Sequence, residues 1–246
     1  MRFYRIFLLS LMLTIIVSAV CYAEDSSSIG VWEKEVSLGY TQATGNTQNS
    51  QLLGALNAYQ KTGYNEVTFK LSSLYATQDK KMNAQKHSGS LRYGFSFWDK
   101  EWYGFLKFQA DHDKFANVDY RIVPYSGIGY WFFDTEQWKL LFEIGLGFEY
   151  IEYSNRLDED INTVCAPRLF FEKQVFDAAS ISQDITIFNN LEQGERYRIH
   201  SETKFTNPLS QTIALRCSFI DEFNSDPAGD VKKNDTNLLL SLVYAF

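Results

Sequence analysis

The stretch WKLLFEIGLGFEY, residues 138–150, decides how the chain is built. Trp138, Leu140, Phe142, Ile144, Leu146, Phe148 and Tyr150 fall on every second position, and Lys139, Glu143, Gly145, Gly147 and Glu149 fall between them. A period of two puts the first set on one face of a β-strand and the second on the other. Such a strand has two different neighbours, one apolar and one wet.

The pattern recurs outward from there. Val67, Phe69 and Leu71 oppose Thr68, Lys70 and Ser72; Leu91, Tyr93, Phe95 and Phe97 oppose Ser90, Arg92, Gly94 and Ser96. Tyr197, Ile199 and Phe205 oppose Arg198, His200, Glu202 and Lys204, and Ile213, Leu215, Cys217 and Phe219 form a further apolar row. Read along the chain, the alternation gives twelve strands, at 33–42, 48–59, 65–75, 85–97, 102–111, 120–132, 138–150, 163–174, 180–189, 197–206, 212–222 and 236–246.

The connections separate the candidate architectures. Those after even strands are short (60–64, 98–101, 133–137, 175–179, 207–211), whereas most after odd strands are longer and polar (76–84, 112–119, 151–162, 223–235). An even number of alternating strands of about ten residues, with short turns at one end and long loops at the other, predicts an all-β, antiparallel transmembrane β-barrel of the outer-membrane type. A soluble β-sandwich also alternates, but it has no reason to sort its loops by length.

The first segment stands apart from this pattern. Arg2 and Arg5 precede an apolar run at 6–20, and Cys21-Tyr22-Ala23 stands just before the acidic, Ser-rich stretch 24–28. That is the arrangement of a cleaved signal peptide at 1–23, leaving 24–246 as the barrel. Its loss takes the formal charge from −7 to −9 and removes Cys21. An acidic chain without a basic patch is not built to bind nucleic acid. Cys165 and Cys217 remain, and the strand assignment keeps them apart as unpaired thiols.

The chain ends on LLLSLVYAF, 238–246. In a barrel, Leu238, Leu240, Leu242, Tyr244 and Phe246 face lipid, with Tyr244 and Phe246 in the aromatic girdle at the periplasmic interface. A terminal aromatic on an amphipathic strand also resembles the signal by which barrels are passed to the barrel assembly machinery. The opposite faces carry Lys70, Arg92, Lys107, Glu143, Glu149, Arg168, Glu172, Asp184, Arg198, Glu202, Lys204 and Arg216 into the lumen. Opposite charges across a narrow lumen either pair and plug it or line a wet path for small solutes or ions. Twelve strands lie between the side-chain-filled eight and the open sixteen. A wide pore is therefore not expected.

Catalytic chemistry finds little support. His87 has Ser88 beside it on the opposite face; His200 shares its face with Glu202 and not with Ser201; His112, in DHD at 111–113, is expected in a solvated loop. None of these forms a Ser–His–acid row on one face. NRLDED at 155–160 and DEFNSDPAGD at 221–230 are acidic outer-loop segments suited to divalent cations bridging lipopolysaccharide, but lack the Gly and terminal Glu spacing of a calcium loop. TGN at 44–46 reads as a tight hairpin turn. No cofactor is expected.

GYTQATGNT (39–47), DYRIVPYSGIGYWF (119–132) and EIGLGFEY (143–150) together resemble the salt-induced outer-membrane protein family, DUF481. The resemblance spans essentially the whole mature chain. It implies the barrel, the outer membrane with its lipid and lipopolysaccharide, and an inducing condition. It implies no reaction.

Overall fold

The computed structural model describes residues 30–43, 49–79, 81–97, 101–154, 159–176, 178–229 and 231–246. Twelve antiparallel strands follow one another: β1 (Trp32–Ala43), β2 (Asn49–Thr62), β3 (Asn65–Gln78), β4 (Lys81–Phe97), β5 (Trp102–Asp113), β6 (Val118–Asp134), β7 (Trp138–Tyr153), β8 (Glu159–Val175), β9 (Ala179–Asn190), β10 (Tyr197–Pro208), β11 (Ile213–Asn224) and β12 (Asn234–Ala245). Each pairs with its neighbours in the chain, and β1 closes the barrel on β12 in the register Glu35↔Ala245 to Gly39↔Ser241. Closure leaves no edge whose backbone groups would go unsatisfied in lipid. The closing seam is held to its last residue: the Phe246 N–H donates to the Lys34 carbonyl at 2.9 Å.

The strands run further than the hydropathy pattern suggests. The polar stretches expected as long loops at 76–84, 112–119 and 151–162 are largely ladder: Gln78 pairs with Lys81, Asp113 with Val118, and Ile151 with Asp160. Backbone pairing does not depend on side-chain polarity, so a hairpin continues past the apolar band and into water. The loop asymmetry survives mainly in 225–233, against two-residue turns such as 63–64, where Gly63 takes φ 59°. His112 accordingly lies within β5 and not in a loop, and Asp160, Asp221 and Glu222 lie in strands. The signal segment 1–23, the acidic stretch 24–28, the TGN turn at 44–46 and most of NRLDED (155–158) fall outside the described residues.

Period-two alternation sets the two faces. Leu146, Phe148, Leu238, Leu240 and Leu242 are exposed on the outer wall, while Leu239, Ser241 and Val243 between them are buried. Exposed aromatics gather in two belts: Trp102, Phe132, Trp138, Tyr244 and Phe246 at the terminal rim, where β1 begins and β12 ends, and Tyr40, Tyr75, Tyr120 and Tyr197 toward the distal rim. Two girdles flanking an apolar band are what a bilayer requires. A polar cluster within that band satisfies itself: Gln183 donates to Ser201 at 2.9 Å and accepts from Thr203 at 2.5 Å. Cys165 on β8 and Cys217 on β11 are free thiols.

The interior is divided lengthwise. Tyr103, Phe105, Val123, Tyr125, Val164, Ala166 and Phe188, inward residues of β5, β6, β8 and β9, form a buried cluster with Trp131 packed against it. Tyr125 sits edge-on to both Phe105 and Phe188, with centroids 5.9 Å apart in each case. Such pairs contribute about 0.5–1.5 kcal/mol each beyond their buried area. Glycines of β6 and β7 make room for these rings: a Cβ on Gly129 would stand 2.3 Å from Tyr103 Cζ, and one on Gly145 2.9 Å from Tyr125 Cδ2.

Candidate functional site in the lumen

The charged inner positions meet across the barrel in groups. At the heart of the first is Glu143 on β7, 3% exposed. Its carboxylate accepts from Arg92 Nη2 at 2.6 Å, Arg168 Nη1 at 2.8 Å and the Tyr103 hydroxyl at 2.6 Å. Arg92 reaches on to Glu66, and Arg168 makes a two-pronged bond to Asp184, Nε to Oδ1 and Nη2 to Oδ2, both 2.7 Å. Glu66, Arg92, Glu143, Arg168 and Asp184 thus tie β3, β4, β7, β8 and β9 together. The planar guanidinium fork suits this bridging, which a lysine point charge could not reproduce.

Further groups stand toward each rim. Toward the distal rim, Glu149 takes Arg198 and, at 3.4 Å, Arg121; Glu222 takes Lys86 at 2.8 Å and His200 Nδ1 at 2.9 Å; Asp111 accepts from Ser88 at 2.5 Å and Gln109 at 3.0 Å. Toward the terminal rim, both guanidinium Nη atoms of Arg216 bind Glu35 at 2.9 and 3.1 Å, Lys139 meets Glu172 at 3.1 Å and Lys61 meets Asp134 at 3.7 Å. Lys204 pairs with Glu202 along its own strand at 2.7 Å. Lys70 and Lys107 differ. Among the described residues neither makes an ion pair, and Lys107 Nζ rests 5.6 Å from the centroid of the Tyr125 ring.

Between these groups lies a cavity of about 580 Å³. Its walls include Lys70, Arg92, Lys107, Arg168, Asp184, Arg198, Glu202, Lys204 and Arg216; Glu143 and Glu149 are buried behind the arginines they bind, and Glu172 stays with Lys139 near the terminal rim. The lumen also uses Glu35, Glu66, Lys86, Asp111, Arg121 and Glu222, which the sequence pattern did not single out. For Glu66, Lys86 and Glu222 the period-two continuation of a strand already recognised was the available signal. For Asp111 and Arg121 there was little, because β5 and β6 carry apolar residues on both faces.

The histidines give no catalytic row. Ser88 lines the cavity while His87 stacks on His112, centroids 5.8 Å apart, on the other side of the sheet. His112 Nδ1 lies 2.8 Å from the Asp119 carbonyl oxygen. His200 is engaged by Glu222, and Ser201 faces away toward Gln183. Of the acidic outer segments, Asp226 is paired with Arg196 at 2.7 Å. Tyr244 and Phe246 stack on the outer wall with centroids 5.6 Å apart, and Lys34 Nζ lies 5.8 Å from the Phe246 ring centroid.

Residues 36–246 match the family model described as "Protein of unknown function, DUF481", and the chain belongs to that family. No relative among curated proteins matches the sequence. Solved structures with the same architecture include the NanC porin, at 11% identity and a TM-score of 0.52 over 86% of this chain and 98% of that one. An outer membrane channel from Pseudomonas putida F1 aligns at 10% identity and a TM-score of 0.50, over 92% of this chain and 98% of the other. At such identities the likeness is one of fold, and the fold is that of outer-membrane porins and channels.

Proposed function

We propose that this DUF481 barrel is a narrow conduit for small polar solutes and ions in the outer membrane, delivered there after cleavage of its signal segment, with the terminal rim on the periplasmic side. The observation that carries the reading is the course of the cavity. Its walls run from Glu33, Lys61 and Asp134 near the terminal rim to Lys86, His200 and Glu222 toward the distal rim. Spread over an apolar band about 25 Å tall, a cavity of about 580 Å³ is a narrow one. That passes water and small solutes and stops polymers.

A second reading, a closed structural barrel of the stressed envelope, is favoured by the ion pairs that brace Arg92 and Arg168 across the interior. In both readings Tyr244 and Phe246 act as the assembly signal, and acidic groups of the distal loops meet divalent cations bridging lipopolysaccharide. Purified barrel in a planar bilayer separates the two. The conduit reading expects discrete steps with defined ion preference; a folded barrel that gives no steps above background supports the closed scaffold. The absence of a Ser–His–acid row among the described residues favours either over a hydrolase.

A further inference from the structure

The lumen walls carry eleven lysines and arginines, and nine of them have a carboxylate partner; Lys70 and Lys107 do not, among the described residues. We propose that these two lysines form a binding site for a small anion, phosphate or carboxylate, at the waist of the lumen. The proposal rests on the conduit reading and names the class of solute the conduit selects.

The carboxylates nearest to the pair are committed elsewhere. Lys70 lies in the field of Lys204, Arg168 and Lys107, with Asp184 as the nearby acid; Lys107 lies in that of Arg168 and Arg92, with Asp184 and Glu143. Asp184 gives both oxygens to Arg168, Glu143 is shared by two arginines and Tyr103, and Glu202 holds Lys204. Cations from β3, β5, β8 and β10 therefore converge on one level with fewer carboxylates than they would neutralise. Phe170 and Phe188 on the cavity wall provide a low-dielectric backing that focuses this field into the passage.

The chemistry of the donors fixes the class of ligand. An ammonium is a compact point charge with rotatable donors and imposes no planar geometry, so a spherical or tetrahedral anion fits as well as a carboxylate. The lysine stems leave the charge open to the cavity: Lys70 is solvent-accessible and Lys107 half-buried, whereas Glu143 is buried. An anion entering here gains two unpaired charges without breaking an existing bridge. A cation meets the same excess as a barrier.

The test uses the mature barrel in a planar bilayer under a KCl gradient, compared with Lys70→Gln/Lys107→Gln and with the charge-preserving Lys70→Arg/Lys107→Arg. Wild type should prefer chloride. Per lysine removed, the local anion concentration should fall by roughly fivefold and that of the cation rise by about the same factor, the Boltzmann factor for one unit charge about 8 Å away at an effective dielectric near 40, so the anion-to-cation permeability ratio should drop by roughly twenty-five-fold. Added phosphate or acetate should reduce the chloride current in wild type and in the arginine variant but not in the glutamine variant. In parallel, line broadening of the phosphorus resonance of inorganic phosphate by detergent-folded protein reads the site without any current. Conductance with no anion preference, or broadening that persists in the glutamine variant, overturns the proposal and leaves the conduit standing. Broadening lost in the glutamine variant with no conductance in any protein keeps the site and overturns the conduit.

Discussion

Glu143 is the joint on which the interior turns, and its replacement by leucine gives the most informative stability measurement. Its carboxylate is nearly inaccessible and receives three charged or polar donors at 2.6–2.8 Å. Removing one partner from a buried ion pair costs about 3–5 kcal/mol, because the remaining charge is stranded. Here the stranding is incomplete: Arg92 retains Glu66, and Arg168 retains both oxygens of Asp184. The Tyr103 hydroxyl retains nothing, and an orphaned buried hydroxyl accounts for about 1–3 kcal/mol of the loss. Glu143→Leu should therefore cost about 3 kcal/mol in a urea refolding titration in detergent. Tyr103→Phe isolates the hydroxyl: in wild type it removes a bond to a charged acceptor, about 1.5–3 kcal/mol, and in the Glu143→Leu background it should recover about 1–3 kcal/mol by removing the orphaned hydroxyl. A coupling near zero between the two substitutions, or a loss under about 1 kcal/mol for Glu143→Leu alone, would show the charges to be solvated side by side and not a buried joint.

The other expectations are simpler. Leu240→Arg and Phe142→Arg place a charge on the outer wall and should cost about 2–4 kcal/mol near the midplane, whereas Ser72→Arg projects into the cavity and should cost less; equal losses would mean the faces are reversed. Gly129→Val sets a side chain where the Tyr103 ring stands, 2.3 Å from its Cζ, and should cost about 1–3 kcal/mol by overpacking with loss of near-ultraviolet ellipticity from the aromatic cluster; an unchanged spectrum would argue against the packed interior. Phe246→Ser should lower the amount of barrel assembled in cells far more than the stability of protein refolded in detergent, since one interfacial ring buries little apolar area; parallel losses in the two measurements would reduce Phe246 to an ordinary wall residue.

The strand count and the two faces were legible because a bilayer imposes one rule on every strand: outward positions are apolar wherever the wall meets lipid. Residues 138–150 and 238–246 state that rule without interruption, and β7 and β12 point as the alternation says. Strand ends were less legible for the complementary reason. Beyond the apolar band the rule stops, yet the ladder continues, so Lys81, Asp113 and Asp160 are paired strand residues that look like loop. A hydropathy pattern finds the membrane, not the end of the hydrogen bonding.

The lumen follows no such uniform rule, which is why its charges were partly readable and its shape was not. Where the inner face is consistently polar, as on β10, the period exposes Arg198, Glu202 and Lys204 at once. On β5 and β6 the inner face carries Tyr103, Phe105, Val123 and Tyr125 because that side of the barrel is packed solid, and these residues look no different from a lipid-facing row. The glycines opposite them were the remaining clue: Gly129 and Gly145 stand where the Tyr103, Tyr125 and Phe105 rings need space, and Gly127 and Gly147 where the neighbouring backbone comes close. The rings fill part of the interior and ion pairs line much of the rest, and among the described residues Lys70 and Lys107 are the lumen cations that the ion pairs leave without a carboxylate. On the conduit reading, selectivity would therefore reside in Lys70 and Lys107 more than in the many charges around them, whose fields are largely cancelled within their own bridges.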